Sequence, residues 1–219
     1  MPQERVPAPG TPEHLVWAAA AEGVRDARIL EALRRVRRED FVPAGWAGRA
    51  YEDRPIPIAQ DQVTTQPSLV ARMLDGLRLT GTERVLEVGT GLGFQTALLA
   101  VLAQEVWSVE RFPDLAEEAR TNLADAGIGG ATVVVGDGTL GLPEHAPYHA
   151  ILVSAAAPRV PPPLIDQLAD GGRLVHPVGP GGREIVVAFR KEGSDLVEER
   201  RLVPAHFVRL VGRHGLPEE

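Results

Sequence analysis

A glycine-rich stretch near residue 90 has the residue types and spacing of a ligand-binding loop. In VLEVGTGLGFQTALLA, residues 85–100, a β-rich run ends close to Glu87, and a helical pattern begins after Gly89, Gly91 and Gly93. Glycines at such a place let the backbone turn tightly and approach a ligand at the carboxyl edge of a sheet. Glu87 would supply a countercharge to a cationic ligand. The alternative interpretation is a tight turn between a strand and a helix that binds nothing.

Two more acidic residues follow later β-rich runs. Glu110 ends the run VWSVE, where a carboxylate can accept both hydroxyls of a ribose. Asp137 ends the run VVVGD, where its oxygens and the backbone of Gly138 can read the edge of an adenine. Either acid alone also fits a strand end at the surface. Because Glu87, Glu110 and Asp137 end successive strands, we expect them to line one continuous groove.

The spacing of the glycines distinguishes between cofactors. Dinucleotide-binding folds use G-x-G-x-x-G, whereas the third glycine comes one residue earlier here, which disfavours a nicotinamide-dependent oxidoreductase. An acidic residue followed by G-x-G-x-G resembles the first motif of class I methyltransferases. The resemblance implies S-adenosylmethionine as the cofactor and S-adenosylhomocysteine as its product. Further cofactor contacts are expected from residues beside the loop and beside Glu110, namely Thr90, Gln95 and Arg111.

The elements that must position these residues are predicted from the periodicity. Helical patterns cover about 12–23, 26–37, 67–77, 95–103, 114–126 and 162–169. Runs rich in β-formers cover 84–88, 106–109, 132–135, 150–153, 173–178, 184–190 and about 196–203. Alternation of strands and helices implies a parallel sheet covered on both faces, and the last two strands follow without a clear helix between them. The predicted fold is α/β, a Rossmann-like doubly wound and mostly parallel sheet with extra N-terminal helices and an antiparallel C-terminal strand region.

The length of 219 residues suits one α/β domain. Residues 1–12 are rich in proline and are predicted to be a flexible segment. Residues 13–212 are predicted to form a single domain, with N-terminal helices and a substrate loop over 13–66 and the cofactor-binding sheet over 67–212. Residues 213–219 are predicted to be a flexible tail.

Charge and composition narrow the possible partners. The net charge of -7 and the pI of about 5.4 disfavour a broad phosphate-binding surface, so no nucleic-acid partner is expected. The basic run Arg34, Arg35, Arg37 and Arg38 lies among acidic residues and is interpreted as the solvated face of a helix. The chain has no cysteine and its histidines show no metal-ligand spacing, so no metal site is expected. No secretory signal or membrane span is predicted, and we expect a cytoplasmic monomer.

Longer motifs resemble one family. They are AYEDRPIPI (50–58), TQP (65–67), VLEVGTGLGFQTALLA (85–100), SVER (108–111), VVVGDGTLGLPEHAPYHAILVSAAAP (133–158) and GGRLVHPVGP (171–180). Over roughly residues 28–212 the chain is similar to the protein-L-isoaspartate O-methyltransferases. The resemblance implies transfer of a methyl group from S-adenosylmethionine to the α-carboxylate of L-isoaspartyl residues in damaged proteins or peptides. Such a repair reaction requires no metal.

The resemblance also places the catalytic hydroxyl at Thr65, where the family carries a serine before Gln-Pro. Substrate contacts are expected from Ile58, Ala59, Gln60, Thr64 and Ala155. The chain departs from the family at Ala59, Gln60 and Asp61, where a glycine, an aromatic or histidine, and a small residue are usual. Asp61 would repel an anionic substrate unless it is turned away. Two alternatives therefore stay open: a methyltransferase for another carboxylate, such as an ordinary aspartate of a ribosomal peptide, and a protein that binds the cofactor without catalysis.

Overall fold

Two helices come first in the described part of the chain. The computed structural model describes residues 7–8, 10–179 and 182–218. Helix α1 (Pro12–Ala21) has a proline in its first turn, and α2 (Ala27–Arg35) is capped by Asp26, whose carboxylate accepts the backbone N–H of Arg28. The flexible segment predicted for residues 1–12 falls mainly on residues 1–6 and 9, which lie outside the described residues.

Within the described residues, seven strands form one mixed sheet. In chain order they are β1 (Arg84–Val88), β2 (Glu105–Glu110), β3 (Ala131–Val135), β4 (Tyr148–Val153), β5 (Leu168–Val178), β6 (Glu184–Glu192) and β7 (Asp195–Ala205). Their order across the sheet is β3-β2-β1-β4-β5-β6-β7. The first five strands are parallel, and β6 and β7 each pair antiparallel with the preceding strand. The predicted α/β fold with an antiparallel C-terminal region is confirmed.

Helices cover both faces of the sheet. The later helices are α3 (Pro67–Leu77), α4 (Phe94–Leu102), α5 (Pro113–Asp125) and α6 (Pro162–Gln167). Helices α2 to α5 pack into a core with Val85, and α6 packs into a second core with the neighbouring Leu86. Residues of β1 thus alternate between two apolar layers, as buried parallel strands require. No helix in the described part of the chain is long and apolar enough to cross a membrane.

Arg38 is buried rather than solvated. Helix α2 ends at Arg35 and the chain continues through a short 3-10 turn, so Arg38 leaves the exposed face that its neighbours in the basic run share. Its side chain is 0% exposed and donates to the backbone carbonyls of Ala50, Glu52 and Arg54. The prediction of a solvated basic face is therefore wrong for Arg38, whereas the other three arginines of the run are exposed.

The C-terminal residues are held by a distant loop. The backbone N–H of Arg213 donates to Asp137 Oδ2 at 2.8 Å, and that of His214 donates to Thr139 Oγ1 at 3.1 Å. These two bonds link the first residues of the predicted tail to a loop more than 70 residues away in the chain. The flexible tail over residues 213–219 stays a prediction.

Candidate functional site

A cavity of about 110 Å³ opens at the carboxyl edge of the sheet. The loops that follow β1, β2 and β4 form its walls together with Ile58, residues 62–65 and residues 208–211. Most of the predicted site residues line it: Ile58, Thr64, Thr65, Gly89, Thr90, Gly91, Gln95, Glu110, Arg111, Gly138 and Ala155. The remaining predicted residues lie outside its wall: Ala59, Gln60, Glu87, Gly93 and Asp137.

The loop after β1 bends around the carboxylate of Glu110. Gly91 has a left-handed backbone (φ 55°), and its N–H donates to Glu110 Oε2 at 2.9 Å. The other oxygen, Oε1, accepts the N–H of Phe112 at 3.1 Å. A carboxylate can accept about four hydrogen bonds, so Glu110 keeps acceptor capacity on the cavity wall. It can accept hydroxyl groups of a ligand, which is the role predicted for it.

Glu87 lies behind the loop rather than in the cavity wall. Its side chain is 0% exposed and accepts hydrogen bonds from Gln95, Thr96 and Ser108. Burial raises the pKa of Glu87 to about 7, and these three hydrogen bonds oppose that rise. The Ser108 hydroxyl is in turn 2.6 Å from the hydroxyl of Thr90, so the network ties β2 to the glycine loop. In this geometry Glu87 supports the glycine loop from behind, and its contact with a cofactor stays a prediction.

Gln95, on the cavity wall, has an unsatisfied acceptor buried behind it. Its Nε2 donates to Glu87 Oε1 at 2.8 Å and to Ser154 Oγ at 2.7 Å. Its Oε1 is buried and has no hydrogen-bond partner among the described residues. Since that oxygen is closed off from the cavity, Gln95 supports the wall through its two donated bonds. Glu110 and the glycine loop do face the cavity, and an open carboxylate beside a close-approaching backbone fits the ribose hydroxyls of S-adenosylmethionine.

Asp137 is engaged by the protein itself. Its Oδ1 accepts the N–H and the hydroxyl of Thr139, and its Oδ2 accepts the N–H of Arg213. Burial raises the pKa of Asp137, but these hydrogen bonds outweigh burial and hold the pKa below its usual value. Asp137 therefore anchors the residues beside the cavity, and its neighbour Gly138 lines the wall in its place.

Residues 57–63 form a small hairpin over the glycine loop. Its central residues, Gln60 (φ 61°) and Asp61 (φ 53°), both have a left-handed backbone, which is typical of a type I′ turn. Ile58 lies beside Gly91, because a Cβ at Gly91 would be 3.7 Å from Ile58 Cδ1. Asp61 is exposed and lies outside the cavity wall. Its charge therefore stands at the tip of the hairpin and not in the site.

One hydrogen bond fastens the hairpin tip to helix α5. Gln60 Nε2 donates to Asp114 Oδ2 at 2.6 Å, and this bond lowers the pKa of Asp114. We expect Gln60→Ala to speed the dissociation of S-adenosylhomocysteine about threefold, the effect of losing one exposed hydrogen bond. Stopped-flow displacement measures this rate, with Glu118→Ala on the exposed face of α5 as a control. Equal rates for all three proteins would show that the hairpin does not retain the cofactor.

A larger cavity of about 390 Å³ adjoins the first. Its walls come from residues 203–208 on one side and from α3, including Leu69 and Arg72, on the other. Residues common to both walls are Val63, Thr64, Thr65, Ser154 and Val208. Ligands bound in the two cavities would therefore meet beside Thr65.

The two adjacent threonines have different surroundings. The Thr64 hydroxyl accepts from Arg38 Nη2 at 3.0 Å and from the N–H of Ile56 at 3.1 Å, so it holds the chain in place. The Thr65 hydroxyl makes no hydrogen bond within the described residues. Helix α3 is preceded by Gln66 at the N-cap position, so Thr65 does not cap it. The Thr65 hydroxyl is therefore available to a ligand at the junction of the two cavities.

The C-terminal wall of the site is not predicted by the sequence motifs. Ala156 N–H donates to the Val208 carbonyl and Leu210 N–H donates to the Ala156 carbonyl, both at 2.7 Å. Residues 208–211 are thereby placed beside the end of β4, where they line the cavity. The only sign of this segment in the sequence is a short apolar run around Phe207, which alone does not indicate a site.

Comparison with known proteins points to one family. The model of the Protein-L-isoaspartate(D-aspartate) O-methyltransferase family matches residues 11–215. The protein-L-isoaspartate O-methyltransferase of Methanoculleus marisnigri is 52% identical over 204 residues, which cover 93% of this chain and 92% of that relative. The enzyme of the same name from Aeropyrum pernix is 50% identical over 200 residues, which cover 90% of this chain and 77% of that relative.

Solved structures agree with the sequence relatives. A protein-L-isoaspartate O-methyltransferase superposes with a TM-score of 0.82 at 30% identity, over 94% of this chain and 67% of that chain. A second structure, from Plasmodium falciparum and in complex with S-adenosyl-L-homocysteine, has a TM-score of 0.76 at 21% identity, over 90% and 97% of the two chains. The second likeness shows the fold alone.

Proposed function

The chain belongs to the protein-L-isoaspartate(D-aspartate) O-methyltransferase family, and we propose that Thr65 is the residue that holds the acceptor carboxylate in its reaction. That reaction is the transfer of a methyl group from S-adenosylmethionine to the α-carboxylate of L-isoaspartyl residues in proteins or peptides. The observation that carries the role of Thr65 is its position at the junction of the two cavities, with an unpartnered hydroxyl among the described residues.

The two cavities suit two different ligands. The smaller cavity alone contains Gln95, Glu110 and the glycine loop, which fit the polar groups of the cofactor. The larger cavity alone contains Leu69, Phe207 and the chain of residues 203–207, which offer apolar surface and backbone to a peptide. We therefore assign the smaller cavity to S-adenosylmethionine and the larger one to the acceptor peptide.

The chemistry demanded of the protein is mainly orientation. When bound, S-adenosylmethionine supplies an electrophilic methyl group on its sulfonium. The acceptor carboxylate is already ionised at neutral pH, so the site needs no general base. The protein must aim one carboxylate oxygen and keep water out. A hydroxyl donor at Thr65 fixes the carboxylate, its β-branched side chain restricts the rotamers of that hydroxyl, and Ile58 covers the glycine loop.

The alternative acceptor, an ordinary aspartate, is not favoured. Three relatives at 50–52% identity over 86–93% of this chain carry the isoaspartate name. The departure from the family at Ala59, Gln60 and Asp61 lies at the tip of the hairpin, outside both cavity walls. Asp61 therefore lines neither cavity and is exposed to solvent, which weakens the repulsion expected from its charge.

Methyl transfer to a matched pair of peptides tests the proposal. We expect labelled methyl to appear on a short isoaspartyl peptide and not on its aspartyl counterpart. Thr65→Val should lower kcat/KM for the isoaspartyl peptide roughly 10- to 100-fold, because it removes a hydrogen bond to a charged group worth about 1.5–3 kcal/mol. Thr65→Ser keeps the hydroxyl and is the matched control, which should retain most of the activity.

Two results would contradict this assignment. Native activity in Thr65→Val would exclude the hydroxyl as the donor to the carboxylate. Binding of S-adenosylhomocysteine by calorimetry without turnover on the isoaspartyl peptide would favour a protein that binds the cofactor without catalysis.

We further propose that residues 13–212 act as one domain, and that the chain is a cytoplasmic monomer acting on proteins rather than nucleic acids. The continuous sheet supports the single domain. The net charge of -7 supports a partner other than nucleic acid, and the lack of cysteine suits a reducing compartment.

A further inference from the structure

The residues on either side of Thr65 are held by one upstream segment, residues 50–56. On the C-terminal side, Gln66 Nε2 donates to Asp53 Oδ2 at 2.9 Å. The N–H of Ser68, in the first turn of α3, donates to Asp53 Oδ1 at 2.8 Å. Asp53 therefore uses both carboxylate oxygens to hold the chain that follows Thr65. Gln66 occupies the N-cap position without a side-chain capping bond of its own, so Asp53 supplies the cap that the helix needs.

Arg38 holds the chain on the N-terminal side of Thr65. Its guanidinium donates to the Thr64 hydroxyl and to the carbonyls of Glu52 and Arg54, which are the two neighbours of Asp53. Burial lowers the pKa of Arg38 to about 10, and the charge of Asp53 raises it in part, so Arg38 stays protonated at neutral pH. The same buried cation thus fixes the residue before Thr65 and the backbone on both sides of Asp53.

We infer that Asp53 is a positioning residue for methyl transfer, which sets the place of the Thr65 hydroxyl by holding Gln66 and Ser68. Asp53 lies on the wall of neither cavity, so it acts through its neighbours and not by touching substrate. The inference rests on the proposed role of Thr65. It explains why the carboxylate of a loop residue accepts hydrogen bonds at the start of α3, directly beside the junction of the two cavities.

The expected effect follows from the sensitivity of transfer reactions to geometry. Displacing a reacting group by about 1 Å can cost as much as a hundredfold in rate. Asp53→Ala removes both acceptors and lets Thr65 move, so we expect kcat on the isoaspartyl peptide to fall about tenfold. The affinity for S-adenosylhomocysteine should stay within about twofold of native, because Gln95 and Glu110 are untouched.

Two further variants separate positioning from folding. Asp53→Asn should recover most of kcat, because its oxygen can accept from Ser68 while its NH₂ group donates to Gln66 after that amide flips. Glu52→Ala removes the neighbouring acid, whose carboxylate pairs with Arg49 and Arg54 at the surface. It should leave kcat unchanged. All rates are measured well below the melting temperature of the least stable variant and are divided by the folded fraction.

The double variant Asp53→Ala with Thr65→Val gives the deciding measurement. If Asp53 acts through Thr65, the double variant should be as slow as Thr65→Val alone. Native kcat in Asp53→Ala, or a double variant slower than Thr65→Val by the full tenfold, would overturn the positioning role and leave the role of Thr65 standing. Native activity in Thr65→Val would instead overturn the role of Thr65 and, with it, this inference.

Discussion

Replacing Arg38 by methionine will lower the free energy of unfolding by about 3–5 kcal/mol. Methionine fills much of the buried volume but donates no hydrogen bond. The carbonyls of Ala50, Glu52 and Arg54 and the hydroxyl of Thr64 then lose a buried partner. Each unsatisfied acceptor costs about 1–3 kcal/mol, and relief of the buried charge offsets only part of the sum.

Urea unfolding followed by circular dichroism measures this loss. The matched control is Arg37→Met, one residue earlier, whose guanidinium is exposed and pairs with Glu39 and Asp40. The control should leave the stability close to that of the native protein, because exposed ion pairs contribute little. A loss in Arg38→Met no larger than in the control would mean that residues 50–64 hold their conformation without the buried arginine.

Replacing His176 by leucine will stabilise the protein, and most strongly at acid pH. His176 lies in β5 with 0% exposure, and neither ring nitrogen has a well-formed hydrogen bond among the described residues. Burial lowers its pKa to about 4, and the nearby backbone of Ala157 opposes this only in part. Between pH 6.5 and 4 the unfolded chain binds a proton that the folded chain excludes. Stability attributable to His176 therefore falls by roughly 3 kcal/mol as the pH falls through that window.

Denaturant unfolding of both proteins at pH 7.5 and pH 5 checks this expectation. At pH 5 the leucine variant should exceed the native protein by about 2 kcal/mol more than it does at pH 7.5, because it has no proton to bind at this position. His206→Leu, at an exposed site, is the control and should show no such difference. A gain of equal size at both pH values would show that His176 is protonated normally in the folded protein.

Most of the secondary structure could be predicted because it is encoded locally. The strand over 84–88 and the helix over 67–77 have the bounds that their patterns predict. Pro67, Pro113 and Pro162 each stand in the first turn of a helix, where their missing N–H costs nothing. The antiparallel end of the sheet follows from two adjacent β-rich runs without a helix between them.

What the sequence did not reveal arises from contacts between distant parts of the chain. The charges around Arg38 in the sequence indicate a solvated helix face. Arg38 is buried because α2 ends before it and because the carbonyls of Ala50, Glu52 and Arg54 accept from its guanidinium. Glu87 lies one residue before the end of β1 and Asp137 two residues after the end of β3. Their carboxylates accept hydrogen bonds from Ser108 and Arg213 respectively. The sequence can place an acid at the carboxyl edge of a sheet, but cannot show which donors reach it first.

The substrate side of the site shows the same limit. Thr64 and Thr65 are identical side chains at adjacent positions, and no pattern separates the structural hydroxyl from the available one. The distinction arises because Arg38 and Ile56 both reach Thr64. The role inferred for Asp53 could not be predicted either, because a single acidic residue in a proline-rich loop belongs to no recognisable pattern.

A crystal structure of the protein with S-adenosylhomocysteine and an isoaspartyl peptide tests the role of Thr65 most directly. We expect the product in the smaller cavity, the peptide in the larger one, and an oxygen of the isoaspartyl α-carboxylate about 2.7 Å from Thr65 Oγ1. A carboxylate more than about 4 Å from that hydroxyl, with both ligands bound, would contradict the assignment of Thr65 as the residue that holds the acceptor.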